Sequence, residues 1–240
     1  MRALAGELLL AAWERGAPEH TLRRALTLLG AARLDMDAGQ LGALPLAERN
    51  LLLVRLHELT FGPVLSMFGV CPKCGARLEF AVPAAGLAAQ LADQAPASPV
   101  MTWHEDGRRY RLRAVATDDL LATLATPQPA AAQELLLARC LEVSPAPGPG
   151  APLTSPAVLR RFEELNAAAE LSCAVDCPEC SCRELLDLDL ARFVWTEVRQ
   201  AARRLLGDIH LLASAYGWSE RAIIRMGAGR RTAYLEMLSL

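Results

Sequence analysis

Apolar residues recur at helical spacing from the start of the chain, first at Leu4, Leu8, Ala11 and Ala12, then at Leu22, Ala25, Leu26 and Leu29. A third helix is predicted over Pro45 to Leu59, and Gly62-Pro63 breaks the pattern. The period then shortens to two. Leu78, Phe80 and Val82 share one face of a strand read over Arg77 to Val82, and a hairpin is predicted where Met101 to His104 and Arg109 to Arg113 flank Glu105-Asp106-Gly107. Helical spacing returns at Leu120, Leu121 and Leu124, with Thr117 or Asp118 as the cap, and again over Ala131 to Leu141 and Val158 to Ala169. Leu171, Cys173 and Val175 alternate as a short strand, and so do Leu186, Leu188 and Leu190. The tail carries the strongest pattern. Val194, Val198, Ala201, Leu205, Ile209 and Leu212 form one stripe, closed by Gly217 as a left-handed cap. Two more helices are predicted beyond it, Glu220 to Met226 with Ser219 as cap and Arg230 to Leu238.

These elements predict an α+β, mainly helical fold, with helical N- and C-terminal parts around a split four-cysteine zinc-ribbon-like element that carries an inserted β-hairpin and helices. The divisions are an N-terminal helical region over 1–62, a first ribbon arm over 63–95, and an insertion over 96–170. A second arm follows over 171–190, then C-terminal amphipathic helices over 191–240. Within the insertion, SPAPGPGAPLTSP, Ser144 to Pro156, reads as a linker, because its prolines and glycines supply neither a hydrophobic face nor a full set of backbone donors. No repeat is evident unless the two Cys-strand units count as a pair.

Composition narrows the function classes. At 240 residues and 52% hydrophobic content the chain can bury a sizeable core, and a formal charge of -2 removes the general electrostatic case for nucleic acid. The charge is nevertheless uneven: from Ala191 to Leu240 the chain is basic by four, entirely through arginine, and Lys73 is the only lysine. No apolar run approaches the ~18 residues of a membrane span. The early apolar run is interrupted by Glu7 and ends in Glu14-Arg15 without a cleavage-site pattern, so a cytoplasmic protein is expected. Seven cysteines, an odd number, point to thiolate chemistry more than to a disulfide framework.

Four of those cysteines form two matching motifs, Cys71-Pro72-Lys73-Cys74 and Cys177-Pro178-Glu179-Cys180, each beside strand-like residues. Tetrahedral zinc takes four thiolates ~2.3 Å away, and a Cys-x-x-Cys turn lets two sulfurs converge, so Cys71, Cys74, Cys177 and Cys180 are the expected ligands of a structural zinc. Unmetallated structural thiols are the alternative. A redox pair is disfavoured because a strand follows each motif, where a low-pKa Cys-Pro-x-Cys opens a helix. Four protein thiolates leave no open position for a substrate, which argues against Lewis-acid hydrolysis. Cys173 and Cys182 are read as small buried strand residues, with an alternative ligand role open, and Cys140 as core.

Other constellations are thin. His20, His57, His104 and His210 are scattered, and there is neither a nucleophile elbow nor a phosphate loop. Asp118-Asp119 and Glu163-Glu164 read as helix-start or solvated positions, and Arg230-Arg231 as a solvated helix start or a partner contact. No enzyme activity is expected.

On these residues the chain resembles the T-even-phage-type base plate hub assembly chaperone family of contractile phage tails and phage-tail-like injection systems. The resemblance is carried by Glu48-Arg49-Asn50-Leu51-Leu52-Leu53 leading into Phe61-Gly62-Pro63, and by the two knuckles. It is strongest in the tail, in Phe193-Val194-Trp195-Thr196-Glu197, Ala215-Tyr216-Gly217-Trp218-Ser219-Glu220 and Arg230-Arg231-Thr232-Ala233-Tyr234-Leu235. The family has glycine after its second knuckle where this chain has Ser181-Cys182. The resemblance implies a non-enzymatic assembly chaperone or component of the base plate hub, with hub, spike or wedge proteins as partners and incorporation into the particle as an expectation. Trp195, Tyr216, Trp218 and Tyr234 are then candidate docking residues, or else they close the protein's own core. A zinc-ribbon nucleic-acid-binding protein using the basic tail is the alternative from a different class.

Overall fold

The computed structural model describes residues 1–145 and 155–238. Most of the Ser144 to Pro156 linker therefore lies outside the described residues. The mixed α+β architecture follows the expectation, with elements the periodicity did not reveal.

Four helices open the chain: α1 (Gly6–Gly16), α2 (Thr21–Ala32), α3 (Ala38–Gly42) and α4 (Leu46–Phe61). α3 was not expected, although its signal is local: Asp37 accepts from the Gln40 N–H at 2.8 Å, and the Gln40 side chain accepts from the Asp37 N–H at 2.8 Å. Gly62, at φ 107, ends α4 in a conformation that favours glycine and turns the chain into β1 (Val64–Val70). β1 pairs antiparallel with β2 (Arg77–Pro83), and α5 (Ala84–Gln94) follows. The sequence VLSMFGV is nearly all apolar and shows no alternation, so β1 escapes a reading by residue type; its period is in burial, with Leu65 and Met67 inside.

The insertion contains β3 (Val100–Glu105) and β4 (Arg108–Arg113), joined by Asp106 and Gly107 at φ 49 and 72, the expected hairpin. α6 (Thr117–Thr123) and α7 (Pro129–Cys140) come next, and then β5 (Leu141–Ser144), which adds to β4. The helix predicted to run through Leu141 thus stops at Cys140. α8 (Pro156–Asn166) and a 3₁₀ turn at Ala167–Ala169 lead to β6 (Ser172–Asp176), which pairs with β7 (Arg183–Asp187). The chain closes with α9 (Leu190–Tyr216), α10 (Glu220–Arg225) and α11 (Ala228–Leu238). Among the described residues no helix is long and apolar enough to cross a membrane.

α9 organises the main core. Val194, Val198, Ala202, Leu205, Ile209 and Leu212 are buried along one stripe, against α1, α2 and α4. Its ends are fixed as the residue types predict: Asp189 accepts from the Arg192 N–H at 3.0 Å, and Gly217 takes the left-handed conformation at φ 66. Ser219 caps α10. A second, smaller core of Leu112, Val115, Leu137, Cys140, Leu141, Val158 and Leu165 lies under the β3–β4–β5 sheet, so Cys140 is a core residue as expected.

The smaller core is tied together by a polar keystone. Asp119, 1% exposed, accepts from Arg113 Nη1 and Nη2 at 2.6 and 2.8 Å, from Arg139 Nε at 3.0 Å and from the Ala116 N–H at 3.0 Å. Its neighbour Asp118 is the solvated half of the pair; Asp119 is a buried helix-start residue with two half-exposed arginine partners. Burial raises the Asp119 pKa, and the Arg113 bonds, the Ala116 N–H and Arg139 outweigh that and hold the carboxyl below the usual range. The two cores meet at Arg49 and Asn50 on α4: Arg49 donates to Thr117 Oγ1 at 3.2 Å, and Asn50 Nδ2 donates to the Ala169 carbonyl at 3.2 Å.

Candidate metal centre

Both knuckles are built by the same local hydrogen bonds. In the first, the Gly75 N–H donates to the Cys71 carbonyl at 2.9 Å and the Cys71 N–H donates to the Ala76 carbonyl at 2.8 Å. In the second, the Ser181 N–H donates to the Cys177 carbonyl at 2.9 Å and the Cys177 N–H donates to the Cys182 carbonyl at 2.8 Å. Each turn closes through a left-handed residue, Gly75 at φ 75 and Ser181 at φ 55. Glycine adopts that conformation freely and serine does so at a cost of about 1 kcal/mol. The two turns therefore correspond residue for residue, and Cys182 is the counterpart of Ala76.

The hairpins β1–β2 and β6–β7 bring the knuckles together although Gly75 to Asp176 separate them in sequence. Gly69 permits the approach: a Cβ there would stand 2.8 Å from Leu186 Cδ1. Leu78, Val175, Ala76, Phe80 and Leu186 wall the sulfurs in. Cys71 and Cys177 are buried, Cys180 and Cys182 half-buried, and Cys74 exposed.

The sulfur positions are close-packed. Cys71 Sγ lies 3.7 Å from Cys180 Sγ and 3.3 Å from Cys182 Sγ; Cys180 and Cys182 are 3.2 Å apart; Cys74 and Cys177 are 3.6 Å apart. Cys71, Cys177, Cys180 and Cys182 have their ligand atoms all within 4.8 Å of one another, an arrangement compatible with a metal ion. Three of the four expected ligands belong to this group, with Cys182 in it where Cys74 was expected; Cys74 adjoins it through Cys177. The reading of Cys182 as a buried strand residue is corrected on this point: the left-handed turn at Ser181 returns the next side chain to the knuckle, a consequence of φ that residue type does not reveal. Cys173 lies on β6 opposite Leu186, packed between the main core and the sulfur cluster, and is not among those four.

Electrostatics mark the same place. The Cys74 backbone N–H, ahead of other donors, draws the Cys71 thiol down to about 6, and the Cys182 N–H and thiol draw Cys180 down. Hydrogen bonds to Cys180 and then to Cys71 push Cys182 up to about 12. Thiolates this close repel one another, so the fully deprotonated cluster requires a cation.

The candidate docking residues fall in two settings. Trp195 is 4% exposed, with the Arg24 guanidinium 4.8 Å from its ring centroid, and lies over Gly16, where a Cβ would come within 2.6 Å of the indole. Its ring belongs to the main core. Tyr216, Trp218 and Tyr234 form a cluster at the end of α9, with Tyr216 stacked on Trp218 at 4.6 Å and Tyr234 edge-on to Trp218 at 4.9 Å. Trp218 and Tyr234 are partly buried against the main core and Tyr216 is at its outer edge. Exposed apolar side chains the sequence did not single out lie elsewhere: Phe68, 76% exposed, and Val70 line a groove of about 640 Å³ between β1, β7 and the first turns of α9, and Leu185 is exposed on β7.

No protein-family model matches the chain, and neither the curated proteins nor the solved structures include a significant match to it.

Proposed function

We propose that the chain is a non-enzymatic assembly protein of a contractile phage tail or phage-tail-like injection system, acting in the cytoplasm as a chaperone or component of the base plate hub. In this reading zinc at the thiol cluster is structural. The observation that carries it is the sulfur cluster: among the described residues the group able to hold an ion is four cysteines, and a tetrahedral ion held by four thiolates keeps no position for substrate or water. Borderline-soft zinc suits an all-thiolate set without redox chemistry. The site would lock the two hairpins, and through Gly69, Leu186 and Phe80 the surface next to α9.

The base plate role is supported by the sequence resemblance of both knuckles and the tail. It is consistent with two surfaces suited to a protein partner, the Tyr216–Trp218–Tyr234 cluster and the groove lined by the exposed Phe68 and Val70. Trp195 supports the tail from inside and does not present itself. Hub, spike or wedge proteins are the proposed partners. Capture of the tagged full chain from a nuclease-treated lysate of cells producing the tail particle should recover one of these in stoichiometric amount. Recovery solely of nucleic-acid-associated proteins that vanish on nuclease treatment would overturn the reading and favour a nucleic-acid module.

A further inference from the structure

We propose that the thiol cluster is a four-coordinate metal site with a spare ligand, in which Cys71, Cys177 and Cys180 hold the ion throughout and Cys74 and Cys182 are interchangeable in the fourth position. This rests on the reading of the cluster as a zinc site and goes beyond it, to which sulfurs bind and how.

The compact group is Cys71, Cys177, Cys180 and Cys182, and Cys74 adjoins it through Cys177 at 3.6 Å. Sulfurs ~2.3 Å from a tetrahedral ion are separated by about 3.8 Å. The Cys71–Cys180 and Cys74–Cys177 separations, 3.7 and 3.6 Å, match that edge. Cys182 stands 3.3 Å from Cys71 and 3.2 Å from Cys180, and completes a compact group with Cys177. Both separations are about 0.5 Å shorter than that edge, so Cys182 draws back from Cys71 and Cys180 on taking a vertex. Five thiolates on one dication would leave a local charge of about −3 and crowd sulfurs beyond tetrahedral packing, so one thiol is left out. Cys71 and Cys177 are buried and belong to the compact group, and Cys180 touches both Cys71 and Cys182. The sulfur left out is therefore the exposed Cys74 or the half-buried Cys182.

The comparison of the knuckles sharpens this. Position 76 holds alanine and position 182, its counterpart by backbone hydrogen bonding, holds cysteine, so the surplus thiol is an addition to one half of a two-fold-like arrangement. In the exchange, the metal–sulfur bond to Cys74 breaks as the bond to Cys182 forms, and the proton leaving the Cys182 thiol ends on Cys74 through solvent. No electrons are transferred, and the charge of the site is unchanged.

The test uses the full chain and zinc ion alone. Cys74→Ser and Cys182→Ser are each expected to retain one zinc per chain after desalting, with affinity within about tenfold of the parent, and the double variant to lose more than about a hundredfold. Cobalt substitution should give thiolate charge-transfer bands of four-sulfur intensity in both single variants. A metal-free Cys74→Ser beside an unchanged Cys182→Ser, or the converse, would overturn the spare-ligand proposal while leaving the zinc site intact. A parent chain that takes up no zinc would overturn the zinc reading itself. Because variants can misfold, the zinc-loaded parent is also alkylated and weighed under native conditions: zinc-bearing molecules should carry label at Cys74 or Cys182 and never at both. Zinc-bearing molecules labelled at both, or always at the same one, would contradict exchange.

Discussion

Around α9, cohesion comes from area: Val194, Val198, Ala202, Leu205, Ile209 and Leu212 bury an unbroken stripe against three other helices. In the hairpin pair it comes from atoms that resist being together. Around the sulfurs the buried residues are Leu78, Val175, Cys71 and Cys177, while Leu65, Met67 and Val82 tie β1–β2 to the main core; the strands of the pair are two to a sheet, and five sulfurs converge. Isolated two-stranded hairpins are marginal in water, whereas amphipathic helices of this length packed on three neighbours are not. In the proposed reading the first region folds on its own hydrophobic content, and the second is conditional on a ligand that neutralises its thiolates. The conditional region also carries Phe68, Val70 and Leu185, so metal occupancy would set the shape of an exposed apolar surface.

The largest expected effect separates the two regions outright. Chelation, or Cys71→Ser, should remove stabilisation on the order of 10 kcal/mol from the hairpin pair. Thermal unfolding should then show an early transition for that pair alone, with the far-ultraviolet helical signal of α9 retained; a single cooperative transition would break the comparison. Next, Leu212→Ala should cost about 4 kcal/mol by urea denaturation through the cavity it leaves, and should leave zinc content unchanged. A loss of zinc in that variant would show the regions to be coupled.

Asp119→Ala tests a third kind of cohesion, a buried carboxylate keyed to two arginines, and should cost about 3 kcal/mol, at the lower end for such networks because Arg113 and Arg139 retain contact with water. The sign of its pH dependence is fixed: the folded-state pKa lies below the unfolded value, so the contribution is present above pH ~4 and is lost as pH falls from there through the folded pKa. Acid titration of stability should flatten in the variant. The smallest effect is Ser181→Gly, which relieves the left-handed serine and should raise stability by about 0.5 kcal/mol, net of the extra entropy of glycine in the unfolded chain. The equivalent change in the first knuckle is already present as Gly75.

The same division runs through what the sequence disclosed. The α9 stripe, its Gly217 stop, the Ser219 cap and the Asp106-Gly107 hairpin are local signals, one period or one turn long, and each was legible. β1 was not, because a strand apolar on both faces has no alternation in residue type; nor was β5, whose first residue the predicted helix took in and which declares itself only by pairing with β4. The four knuckle cysteines were legible from their repeated spacing. The arrival of Cys182 depends on φ at Ser181, and the burial of Trp195 depends on Gly16, nearly the whole chain away. The first is local backbone geometry that residue type does not reveal, and the second is an outcome of tertiary approach. Asp119 was read as a helix-start residue, but its arginine partners come from β4 and α7, which no local window joins.

The most direct test of the account is amide hydrogen exchange on the full chain, with zinc and after chelation. The account predicts that residues 64–83 and 172–187 lose protection on chelation while 194–212 keep theirs. Unchanged protection in both hairpins, with chelation verified by metal analysis, would contradict the claim that metal-held thiolates are what stabilise these two hairpins.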